Sequence, residues 1–169
     1  MTGGTMKEIE FKIKGLMMDP LTNSPIVVLQ DTNSDTLLPI WVGIFEANAI
    51  ALQIEKVDTP RPMTHDLMKG LLNHLNAQVT KIVVTELKDN TFYALIFLNV
   101  GGKTITVDSR PSDAIALALR TDSPIYVTDD VLAKSSSTTS LAPSDRSSPE
   151  DIKQWLENLN PEDLGKYKM

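Results

Sequence analysis

Val107-Asp108-Ser109-Arg110-Pro111-Ser112-Asp113-Ala114-Ile115-Ala116-Leu117-Ala118-Leu119-Arg120 is the stretch on which the fold turns. It reads as the end of a strand, a tight charged corner and then a helix. Pro111 suits the first helical position, where its missing N–H has no partner to lose. Ser112 or Ser109 is placed to cap the free N–H groups, and Asp113 complements the positive end of the helix dipole. From Ala114 to Leu119 the helix is almost wholly apolar, and a helix apolar on nearly every side must be buried. It is therefore expected at the centre of the core. Asp108, Arg110 and Asp113 stand at the mouth of that buried element, where they either brace the fold or form a site.

Upstream, Glu8 to Lys14 alternates polar and apolar residues, which predicts a half-buried strand with Ile9, Phe11 and Ile13 inward. Asp19-Pro-Leu-Thr-Asn-Ser-Pro25 is turn chemistry, Ile26 to Leu29 a second strand, Asp31 to Asp35 a polar hairpin loop and Leu37 to Val42 a third strand. Gly43 leads into a helix over about 44–56, with Ile44, Ala47, Ala51 and Ile54 on one face. Thr59-Pro-Arg-Pro62 interrupts the chain. Thr64 is expected to cap the next helix, with Asp66 in its first turn and Leu67, Leu71, Leu72 and Leu75 as its buried stripe.

Val79 to Leu87 and Thr91 to Val100 read as strands, then Gly101-Gly102 as a hairpin into Thr104 to Asp108. The second of these strands is apolar on both faces, Phe92, Ala94, Ile96 and Leu98 against Tyr93, Leu95 and Phe97, which predicts a central or interface strand and a homodimer. A short strand, Ile125 to Val127, follows the central helix, and Thr128-Asp-Asp130 caps one further turn. Asn48-Ala-Ile-Ala-Leu52 is echoed by Asp113-Ala-Ile-Ala-Leu117. A duplication behind that echo would make two similar α+β halves.

The expected organisation is thus a leader over 1–5, an α+β domain over 6–132, a Ser/Thr-rich linker over 133–148 and a C-terminal helix with its tail over 149–169. The helix start is marked by Ser148-Pro-Glu-Asp151, and Ile152, Trp155, Leu156 and Leu159 form its apolar face. The fold class is α+β, a mixed and mainly antiparallel sheet with helices packed against it.

Composition narrows the function. The absence of cysteine excludes disulfides, thiolate zinc sites and cysteine nucleophiles. With neither a signal peptide nor an apolar run of membrane-spanning length, a cytoplasmic location without membrane contact is expected. A formal net charge of −6 lacks the basic footprint of a nucleic-acid binder. Either the carboxylates hold divalent cations that offset the repulsion, or nucleic acid is not the natural ligand.

Three motifs carry a resemblance: Asp108-Ser-Arg-Pro-Ser-Asp-Ala-Ile-Ala-Leu-Ala118, Pro60-Arg-Pro-Met-Thr-His-Asp66 and Leu38-Pro-Ile-Trp-Val-Gly-Ile-Phe-Glu-Ala47. Over about residues 6–132 the chain resembles the bifunctional nuclease domain family. The resemblance implies hydrolysis of DNA and RNA phosphodiesters, assisted by Mg²⁺ or Mn²⁺, and brings the motif segments together. Asp108, His65 and Asp66 are then the catalytic candidates. Arg110, Arg61 and Thr64 are the candidates for binding substrate phosphate, and Asp108, Asp113 and Glu46 those for holding the metal. The residue types suit those roles. Carboxylates bind hard divalent cations, arginines fork onto phosphate, and histidine moves protons near neutral pH.

Each residue also has a plainer explanation. Arg110 with Asp108 or Asp113 makes a corner-fixing ion pair, and Thr64 and Asp66 are complete as capping residues. The competing function is a non-enzymatic dimeric module that binds a small anionic ligand or a protein partner. The acidic charge and the absence of a Gly-rich phosphate loop, an HExxH motif or a serine elbow favour it.

Overall fold

The computed structural model of the chain describes residues 6–137. Strands β1 (Glu8–Met18), β2 (Pro25–Asp31) and β3 (Leu37–Trp41) form the expected antiparallel meander and lead into helix α1 (Ile44–Ile54). Helix α2 (Thr64–His74) precedes a second meander, β4 (Ala77–Lys88), β5 (Thr91–Val100) and β6 (Lys103–Ser109). Helix α3 (Pro111–Thr121), strand β7 (Ile125–Thr128) and helix α4 (Asp129–Ser137) follow. All seven strands join one sheet in the order β3-β2-β1-β7-β4-β5-β6. β7 bridges the meanders, antiparallel to β1 and parallel to β4, so the sheet is mixed and mainly antiparallel and the fold is α+β.

Alternation along the strands separates the two faces of the sheet. Phe11, Val27, Leu29, Ile82, Val84, Ala94, Ile96 and Ile125 share the core with α3. Ala114, Ile115, Ala116, Leu117 and Ala118 are all buried, as a helix apolar on every side requires. Removing Ile115 and Leu117 from water is worth about 1.5–3 kcal/mol each. Helices α1 and α2 both pack on α3, so α3 holds the centre of the helical layer. Pro111 takes the first helical position, while Ser109 and Ser112 do not cap it. The Ser109 hydroxyl donates instead to the Arg110 carbonyl at 2.8 Å. Asp122, in the left-handed conformation, ends the helix.

Four local expectations are corrected. In α1 the inward residues are Ala47, Asn48, Ile50 and Ala51, whereas Ile44 and Ile54 are exposed at the helix ends. In α2 the stripe of Leu67, Leu71 and Leu75 faces solvent at 54%, 55% and 71% exposure. Its packed side is His65, Met68 and Leu72. Thr64 is not the cap of α2, because Met63 occupies that position and its N–H donates to Asp66 Oδ2 at 3.0 Å. α4 runs to Ser137, past the expected start of the linker, with Val131 buried and its N–H donating to Thr128 Oγ1. The rest of the expected linker, the C-terminal helix and the leader lie outside the described residues.

Candidate functional site at the start of α3

The corner before α3 gathers side chains from three helices. Arg110 is the residue just before the helix, and its Nε donates to Asp113 Oδ2 at 2.8 Å within the same turn. Its Nη2 donates to Glu46 Oε1 on α1 at 2.7 Å, across 64 residues of sequence. Asp113 turns its other oxygen to His65 on α2, with Nε2 to Oδ1 at 2.9 Å. Glu46, Arg110, Asp113 and His65 thus form one continuous chain of contacts. His65 is buried at 6% exposure, while the Arg110 side chain is 65% exposed and Nη1 has no partner among the described residues.

Local sequence explains these placements. Gly43 is the residue before α1, and Glu46 folds its carboxylate back over it into the space a Cβ would fill. The Gly-Ile-Phe-Glu spacing therefore aims Glu46 at Arg110. An arginine gripped by two carboxylates keeps its proton more firmly. Its hydrogen bonds to Asp113 first and Glu46 second, reinforced by the charges of those carboxylates, raise the Arg110 pKa above its ordinary value.

Asp66 serves a different contact. Its Oδ1 accepts from Arg120 Nε at 2.7 Å, and Arg120 also donates to the carbonyls of Ala116 at 3.0 Å and Ala49 at 2.9 Å. Burial pushes the Asp66 carboxyl up, but the Met63 N–H and Arg120 together outweigh it and hold the pKa below the ordinary value. Arg120 was not singled out in the sequence. The signal available was an arginine closing a helix with no solvent face, which must find a buried partner.

Asp108 lies apart. It pairs with Leu95, whereas its neighbour Val107 pairs with Ile96 on the face that carries α3. Alternation therefore points Asp108 to the opposite face of the sheet, where it is exposed and has no side-chain partner among the described residues. Arg61 and Thr64 are exposed at the start of α2, also without side-chain partners among the described residues. The three carboxylates expected to share a metal do not converge. Asp108 is across the sheet, Glu46 and Asp113 are engaged by Arg110, and among the described residues no group of three His, Asp or Glu has metal-binding geometry. This donor set does not fit a divalent cation.

Comparison with known proteins agrees with the motifs. The bifunctional nuclease domain matches residues 27–140, well over half of the chain. An uncharacterized protein of Mycobacterium tuberculosis is 36% identical over 166 residues, covering 92% of this chain and 97% of that protein. Bifunctional nuclease 2 of Oryza sativa subsp. japonica is 32% identical over 107 residues, and Bifunctional nuclease 1 of Arabidopsis thaliana 28% over 116. These alignments cover 61% and 67% of this chain but only 33% and 36% of the plant proteins. With its three motifs meeting around the start of the central helix and the domain match spanning most of the sheet and all four helices, the chain belongs to the bifunctional nuclease domain family.

Proposed function

We propose that the protein hydrolyses phosphodiester bonds of DNA and RNA at the corner where α2 and α3 begin. The observation that carries this is the His65–Asp113–Arg110 chain, which couples a proton-transfer group to an exposed guanidinium through one carboxylate. An ionised carboxylate only accepts hydrogen bonds, so Asp113 fixes the His65 proton on Nε2 and leaves Nδ1 as the base. Arg110 Nη1 would hold a non-bridging phosphate oxygen while His65 takes the proton of the attacking water. The P–O bond to the leaving alkoxide then breaks, and solvent returns a proton to it. The N–H groups at the start of α2 add positive potential beside His65, and Arg61, exposed just before that helix, is a further candidate to meet phosphate. In this reading the chemistry proceeds without Mg²⁺ or Mn²⁺, since Glu46 and Asp113 are engaged by Arg110 and Asp108 stands on the other face of the sheet. In this reading Asp66, whose Oδ1 accepts from Arg120, holds α2, and proton transfer falls to His65.

The second reading, an anion-binding module without catalysis, is favoured by one fact: both carboxylates beside Arg110 are engaged by it and are not free to act as bases. A single experiment separates the two. Wild type, His65→Ala and Arg110→Ala, purified identically, are incubated with single-stranded DNA and RNA in Mg²⁺, Mn²⁺ or EDTA. The enzymatic reading expects cleavage by wild type, reduced about 10²-fold by His65→Ala and about 10²–10³-fold by Arg110→Ala. Phosphate binding that depends on Arg110 without cleavage by wild type favours the module. Equal cleavage by all three proteins sinks this assignment of the site. Asp108→Asn belongs in the same series, since a loss as large as that of His65→Ala would move the chemistry to the end of β6.

A further inference from the structure

We propose that β6 is a dimerisation edge, pairing antiparallel with β6 of a second copy so that the sheet continues across both chains. Among the described residues β6 is one of the two outer strands, and all its residues are exposed except Ser109. A strand with a free edge presents unpaired N–H and C=O groups, and monomers blunt such edges with proline, inward charge or brevity. The other edge, β3, is so protected: it has five residues and Pro39 at its middle. β6 has no proline, and its two charges, Lys103 and Asp108, lie toward the ends of the strand. Thr104-Ile105-Thr106-Val107 between them is uncharged and alternates as a strand should.

The pattern selects a copy of itself as the partner. Ile105 and Val107 pair with Leu98 and Ile96, so they lie on the helix side of the sheet, yet they are 45% and 41% exposed. An antiparallel register centred on Thr106 sets Ile105 against the partner's Val107, and Val107 against the partner's Ile105. Thr104 then lies opposite the partner's Asp108, and the two Asp108 carboxylates stay at opposite ends of the paired strands. Residues directly opposite share a face in such a pair, so the apolar contacts fall on the helix side, flanked at each end by Lys103 against the partner's Ser109, and the Thr104, Thr106 and Asp108 contacts fall on the other. The contact is isologous and closes at two copies. It differs from the surface expected from the sequence, the two-sided apolar strand Phe92 to Leu98, whose outward face in the sheet is Tyr93, Leu95 and Phe97.

The test reads mass by light scattering on the full chain at micromolar concentration. Wild type is expected at twice 18.6 kDa. Thr106→Lys places two like charges directly opposite on the dimer axis, and Thr106→Glu does the same with the other sign. Each alone is expected at the monomer mass with an unchanged circular dichroism spectrum, and an equal mixture of the two is expected to recover the dimer. Tyr93→Glu on the outer face of β5 and Leu71→Glu on the exposed stripe of α2 are expected to leave the dimer intact. A monomeric wild type overturns the proposal. So does a dimer that survives Thr106→Lys, or one lost in Tyr93→Glu or Leu71→Glu while Thr106→Lys retains it.

Discussion

Replacing Arg120 by Met tests whether a buried guanidinium holds the three helices together. Met keeps most of the stem volume but removes the charge and every donor. Three contacts go: the Nε bond to Asp66, the bond to the Ala49 carbonyl on α1 and the bond to the Ala116 carbonyl. The Ala116 oxygen keeps its place in the helix ladder and loses little. The carbonyl of Ala49 likewise keeps its place in the ladder of α1, so the main loss falls on Asp66, which is left without its counter-charge. Breaking a fully buried ion pair costs ~3–5 kcal/mol. Asp66 retains 33% side-chain exposure, so water recovers part of that. An overall loss of about 3 kcal/mol is expected.

For an ordinary urea dependence of about 2 kcal/mol per molar, that loss lowers the unfolding midpoint by about 1.5 M. Arg120→Lys, which keeps charge but not the planar fork, should fall between Met and wild type. The pH profile gives a second readout. The Asp66 carboxyl sits below its ordinary value in the folded chain, so its contribution is present above the unfolded pKa and disappears as pH falls through the folded one. Wild type should therefore lose stability on the acid side, and Arg120→Met should lose less over that window. An Arg120→Met protein within about 0.5 kcal/mol of wild type at neutral pH, inside the range of ordinary surface substitutions, would show that the three helices do not depend on this residue.

Ala116 is fully buried against the sheet, so Ala116→Leu is expected to overpack the core and cost ~1–3 kcal/mol, visible as a lowered melting temperature. Gly43→Ala should push the Glu46 carboxylate off Arg110, so its effect and that of Glu46→Gln on stability should be less than additive; full additivity would separate the two residues. A chain ending at Ser137 should unfold like the full chain, whereas one ending at Thr128 loses the buried Val131 and should unfold earlier.

Much of this architecture is visible in the chain itself. Alternation in β1, the two-sided apolar run of β5, the Gly101-Gly102 turn and the apolar run of α3 are short-range patterns, because each states how much surface one segment must hide. Pro111 and the turn chemistry around Asp19 likewise act within a few residues. What such patterns omit is direction. On α2, Leu67, Leu71 and Leu75 and the set His65, Met68 and Leu72 both satisfy helical spacing. The second set packs because His65 and Asp66 are held by Asp113 and Arg120 on α3, contacts made across 48 and 54 residues.

Asp108 shows the same limit. Its strand and its alternation are local, but which face of the sheet receives the helices is decided by how the two meanders and α3 close on one another. The corner motif made Arg110 and Asp113 candidates, and Gly43 with Glu46 could be seen as a helix start. Sequence alone determined which residues are fit for charge, proton transfer or burial, since those are properties of the side chains and their nearest neighbours. Tertiary structure alone decided that Glu46, Arg110, Asp113 and His65 meet while Asp108 does not, because a hydrogen bond depends on distances of about 3 Å that only the packed helices set.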